Sequence, residues 1–136
     1  MTESSLIKKL GIKPGQKMLI LNAPEGYIQT LGPLPAGNEV ETATGGMFDF
    51  VQLFVRNKAD IDNHAATAMQ SLKPGGLLWF TYSKKSSGIK TDITRDTGWD
   101  TLVAAGIRPV TQIAIDDTWS ALRFRPTSEV KSGNKS

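Results

Sequence analysis

The 136-residue chain has no cysteine and a single histidine, His64. Without cysteine there are no disulfides, thiolate nucleophiles or thiolate metal ligands, and nothing marks the redox compartment. One imidazole leaves little room for general-base chemistry. His64 falls at the polar boundary of a helix and reads as solvent-facing, whereas a Ser-His-Asp triad would need it at the carboxyl edge of a sheet. No apolar run approaches the ~20 residues that span a bilayer. Residues 1–6 lack a basic region followed by an apolar stretch, so no secretory signal and a cytoplasmic location are expected. Gly-Lys-Ser and Gly-Lys-Thr do not occur, so there is no Walker-type loop for a nucleoside triphosphate.

What is present is the length of one domain, enough to bury a core without covalent staples. The net charge is only +3, unevenly spread. Residues 1–55 carry Lys8, Lys9, Lys13 and Lys17 against Glu3, Glu25, Glu39, Glu41 and Asp49, whereas residues 119–136 carry Arg123, Arg125, Lys131 and Lys135 against Glu129 alone. So modest a surplus reads as a solvated face and does not argue for nucleic-acid binding.

Along the chain, residues 4–10 predict a short helix stopped by Gly11. Residues 17–22 form an apolar run between turn residues and predict a buried first strand. Asn22 is suited to capping a helix that Pro24 would open, and the Gly32-Pro33-Leu34-Pro35 stretch must end it. Residues 39–43 predict a short edge strand. Residues 48–55, rich in aromatic and β-branched side chains, predict the clearest strand. Asn57 caps a helix whose inner face is Ile61, Ala65, Ala68, Met69 and Leu72. Lys73-Pro74-Gly75-Gly76 reads as the turn from that helix into the strand Leu77-Leu78-Trp79-Phe80-Thr81-Tyr82. Residues 97–105 predict a helix capped by Asp96, with Trp99, Leu102 and Val103 facing inward and Gly106 as its stop. Residues 109–115 and 119–125 predict strands joined by an Asp116-Asp117-Thr118 turn, the second returning antiparallel. Residues 1–126 are expected to form one domain, and the polar residues 127–136 a disordered tail. Alternating strands and helices imply a mostly parallel sheet covered on both faces, closed by an antiparallel hairpin.

This order resembles the class I S-adenosylmethionine-dependent methyltransferase fold. Phe48-Asp49-Phe50-Val51 and Leu72-Lys73-Pro74-Gly75-Gly76-Leu77-Leu78 look like two of its recurring segments. The whole pattern, with Thr91 to Asp96 and Ile115 to Phe124, is similar to a family of short bacterial proteins of uncharacterised function. The resemblance implies a three-layer, Rossmann-like α/β fold, truncated between its second and third strand regions. It also implies a cofactor loop after the first strand, an acid followed by Gly-x-Gly-x-Gly. Here Asn22 stands for the acid, and Pro24, Gly26 and Ile28 for the glycines. Pro24 has no donor N–H, and Ile28 brings a branched side chain where close packing wants none. The acid that such enzymes place after their second strand, for ribose hydroxyls, corresponds to Glu41, although Glu39 and Glu41 read equally as edge residues facing solvent.

Ligands of open parallel sheets bind beyond the carboxyl ends of the strands. Two loops leave that edge. One supplies Asn22, Glu25, Gly26 and Tyr27; the other supplies Lys84, Lys85 and Ser86, suited to an anion unless they are solvated or paired with Asp92 or Asp96. Arg95 and Asp96 read as a pair or a cap. Asp116 and Asp117 read as turn residues and not as metal ligands, and Trp99 and Trp119 as core or site walls. No catalytic residue and no metal site is assigned. The expected function is a non-catalytic domain binding a protein partner or an anionic small molecule at this edge. The alternative is an S-adenosylmethionine-binding methyltransferase with a degenerate cofactor loop. An unpaired sheet edge also offers a route to a homo-oligomer.

Overall fold

In the computed structural model, which describes residues 5–31, 34–42, 45–84, 93, 98–116 and 118–126, the chain runs α1 (Ser5–Leu10), β1 (Lys17–Leu21), α2 (Tyr27–Thr30), β2 (Glu39–Glu41), β3 (Phe48–Val55), α3 (Lys58–Gln70), β4 (Leu72–Ser83), α4 (Asp100–Ala104), β5 (Ile107–Ala114) and β6 (Trp119–Pro126). The sheet order among the described residues is β2-β1-β3-β4-β6-β5. The first four strands in that order are parallel, and β6 runs antiparallel to both β4 and β5. No helix among the described residues is long and apolar enough to cross a membrane.

Central strand β3 is apolar on both faces because helices cover both. Val51, Leu53 and Val55 join one cluster with Ile61, Ala65 and Ala68 of α3 and Leu102 of α4. Phe50 and Phe54 join the other, with Ile7 and Leu10 of α1 and Tyr27 and Leu31 around α2. The indole Nε1 of Trp79 donates to the Leu10 carbonyl at 3.0 Å and pins α1 to the sheet. Asn57 caps α3 as expected, accepting from the Asp60 amide at 2.9 Å. Among the described residues of 28–47 there is a single strand of three residues, β2, at the sheet edge with Glu39 and Glu41 exposed. The fold is thus truncated where the sequence predicted.

Three local expectations are corrected. Lys73-Pro74-Gly75-Gly76 is a bulge inside β4 and not the turn leaving α3, which already ends at Gln70. Phe48 pairs with Leu72 and Phe50 with Leu77, so two steps along β3 answer five along β4. Gly76 is required there, since a Cβ would lie 2.9 Å from the Asp49 carbonyl oxygen and 2.8 Å from Leu72 Cδ1. Val103 is 57% exposed and does not face the core, because α4 is a single turn that buries only Leu102. Asn22 caps no helix: α2 begins at Tyr27, its N-cap is Gly26, and Pro24 lies outside it. The expected cap Asp96, together with Arg95, Asp92 and Asp117, lies outside the described residues, as do residues 127–136.

Candidate functional site

The carboxyl ends of β1 and β2 lie side by side, paired through Leu19 and Glu41. Just beyond β1, Asn22 takes a left-handed conformation with φ 60°, a region that asparagine tolerates better than other side chains. The chain then turns. The Tyr27 amide donates to the Pro24 carbonyl at 3.1 Å, and Gly26 sits at φ 86°, ψ −7°, the left-handed third position of a type II turn. A Cβ at Gly26 would meet no atom within 4 Å, so this glycine serves the turn and faces open space. These residues border a cleft of about 350 Å3 lined by Asn22, Pro24, Glu25, Gly26, Ile28 and Thr42, among others. That volume lies within the ~300–1,000 Å3 usual for small-molecule sites.

The structure therefore brings Asn22, Glu25 and Gly26 together at one cleft, as the sequence suggested. Tyr27 sits apart from them. Its ring is buried against Phe54 at 4.6 Å, edge to face. Its hydroxyl donates to Gln52 Oε1 at 3.0 Å, and Gln52 Nε2 donates to Thr81 Oγ1 at 2.8 Å. Burial pushes the phenol pKa well above its ordinary value, against the opposing effect of the Gln52 hydrogen bond, so Tyr27 stays a neutral donor. The result is a fully buried polar chain across β3 and β4, tying the first residue of α2 to the sheet. Sequence reasoning missed it, although a glutamine amid the apolar residues of β3 is the kind of signal that could have shown it. Thr42 was likewise missed as part of the cleft.

The second loop is anchored at its start. The Lys84 amide donates to the Thr118 carbonyl at 2.7 Å, joining the end of β4 to the β5–β6 turn. Lys85 and Ser86 lie outside the described residues. Beside Lys84, the Ser83 hydroxyl is buried without a hydrogen-bond partner among the described residues. Asp116 behaves as a turn residue, its Oδ1 accepting from the amides of Thr118 and Trp119, both at 2.8 Å. Trp99 packs in the core against Tyr82 at 5.5 Å and Phe124 at 5.3 Å, and Trp119 against Phe54 at 5.2 Å. His64 is half-buried on α3.

No protein-family model and no curated protein matches the chain. Solved structures do. One is a DhpI–SAH complex, with a TM-score of 0.62 at 12% identity over 89% of this chain and 81% of that one. Another is the ribosomal protein L11 methylase of Lactobacillus delbrueckii subsp. bulgaricus, at 0.57 and 9% over 90% and 75%. A third is a putative methyltransferase of Thermoplasma acidophilum, at 0.57 and 12% over 94% and 76%. The chain has a truncated class I methyltransferase fold. At such identities the likeness establishes the fold and leaves the chemistry to the residues.

Measured against the cofactor of that fold, the cleft fits in three respects. It lies at the carboxyl end of β1, its volume suits a small molecule, and the exposed Glu41, which ends β2 without lining the cleft itself, directly precedes the cleft-lining Thr42. It departs in two: Pro24 offers no N–H, and Asn22 offers an amide where an acid is usual.

Proposed function

We propose that this chain is an S-adenosylmethionine-binding methyltransferase domain with an altered cofactor loop. The observation that carries the reading is the cleft built by the left-handed Asn22 and the Gly26 turn over the carboxyl ends of β1 and β2. This is where open α/β sheets take ligands, and the fold is shared with a protein solved as its SAH complex. When bound, the cofactor supplies an electrophilic methyl group. The chain's own part is to hold and orient it. Gly26 leaves its side of the cleft open, Glu41 accepts hydrogen bonds from ribose hydroxyls, and the Asn22 amide both donates and accepts. The buried Tyr27–Gln52–Thr81 chain fixes the turn from below.

The second reading, a non-catalytic domain that binds a protein partner or an anionic metabolite at the same edge, is favoured by Pro24, which removes a backbone donor from the cofactor loop. Calorimetric titration with S-adenosylmethionine and its demethylated product separates the two. Saturable binding, weakened at least tenfold by the surface substitution Glu41→Ala, supports the first reading. Absence of binding by either compound at millimolar concentration rejects it and leaves the second.

A further inference from the structure

The cleft over β1 and β2 carries charge of one sign. Glu25 is the charged residue among those that line it, and no lysine or arginine lines it. Glu41 ends β2 directly before the lining residue Thr42 and adds an exposed carboxylate. Asp116 adds another at the same edge, close enough to the Tyr27 phenol to help raise its pKa after the larger effect of burial. The edge has cations too, Arg56 after β3 and Lys84 after β4, but neither lines the cleft.

The features that draw an anion to a helix start are weak here. Such sites depend on free amides and on the dipole of a developed helix. The helix that follows the turn, α2, has four residues, and Pro24 in the turn has no N–H to offer. The carboxylate of the methyl donor therefore meets neither a cation nor a long helix, whereas carboxylates answer its positive charges.

We propose that the cleft selects its ligand by positive charge: it takes adenosyl sulfonium compounds, prefers the methylated donor to the demethylated product, and makes little use of the amino-acid carboxylate. This preference rests on the methyltransferase reading and adds to it a way for product to leave. Donor and product differ by one methyl group and by the positive charge on sulfur. Opposite unit charges about 4 Å apart in water change affinity about fivefold, so fresh donor displaces the product.

Calorimetric titration of the full chain with S-adenosylmethionine, its demethylated product and decarboxylated S-adenosylmethionine tests the proposal. At about 0.01 M salt the donor should bind about fivefold more tightly than the product. Most of that difference should vanish at about 1 M, where the screening length falls to ~3 Å. The decarboxylated donor should bind at least as tightly as the donor. Glu25→Gln, at an exposed turn position, should weaken the donor about fivefold and the product less than about twofold. Equal affinity for donor and product at low salt, weaker binding of the decarboxylated compound, or an unchanged ratio in Glu25→Gln would each overturn the charge preference and leave the methyltransferase reading standing. Binding by none of these compounds would remove both.

Discussion

The two faces of the sheet are held by different physics. The face under α3 and α4 is almost wholly apolar: Phe80 meets Trp99 and Phe124 edge to face at centroid separations of 6.2 and 5.3 Å, Trp99 lies tilted against Phe124 at 5.3 Å, and Val51, Leu53 and Leu78 fill the space around them. The face under α1 and α2 carries large apolar side chains too, but a hydrogen-bonded chain of Tyr27, Gln52 and Thr81 is set among them. The first face contributes through apolar burial alone. The second fixes one geometry, because buried polar groups are satisfied in one arrangement only. That geometry begins at Tyr27, the residue that closes the Gly26 turn. The site is therefore supported by the more polar face.

Substitutions on the two faces should separate these roles. The largest effect is expected from Phe80→Ala, which empties a fully buried position. It should cost about 3–5 kcal/mol in urea denaturation and leave cofactor affinity of the folded protein unchanged. Gln52→Leu comes next. It strands the Tyr27 and Thr81 hydroxyls and should cost about 1–3 kcal/mol, with a several-fold loss in affinity for the demethylated cofactor. Equal losses of affinity in both variants would erase the distinction between the faces.

The smallest effect concerns pH. The Lys17 amide, donating to Asp49 Oδ2 at 2.9 Å, holds the Asp49 carboxyl below its ordinary value, and the Lys73 ammonium adds to this. A carboxylate with a depressed folded pKa stabilises fully above its unfolded value of about 3.9 and loses that contribution as pH falls through the folded value. The urea midpoint of the native chain should fall below pH ~4, and Asp49→Asn should flatten part of that slope. The change should be slight because the side chain is one-third exposed.

How much of this was legible in the sequence follows the same division. Strand β3, the Asn57 cap, the antiparallel β6 and the inner face of α3 at Ile61, Ala65 and Ala68 could be read directly, because each is set by local pattern and propensity, whereas Leu72, read onto the same face, is the first residue of β4. The Lys73–Gly76 segment was misread because Pro-Gly-Gly signals a break without saying whether the chain is leaving a helix or bulging within a strand. The cap role of Asn22 failed for a related reason: asparagine suits both an N-cap and a left-handed residue, and the downstream turn at Gly26 decided it. The cleft residues Asn22, Glu25 and Gly26 were legible because strand order places their loop at the carboxyl edge. Tyr27 lay inside the core because helical phase, not adjacency in sequence, aims a side chain. The Tyr27–Gln52–Thr81 chain joins residues 25 and 29 positions apart, and only the register of β3 against β4 brings the second pair together.

The central claim is that the carboxyl-end cleft binds the methyl donor. Amide NMR of the full chain, titrated with the demethylated cofactor, tests it most directly. Saturable shifts are expected at Ala23, Glu25, Gly26 and Thr42, with Gly75 and Phe124 unmoved. No shift at the first set, or saturation confined to the second, would contradict it.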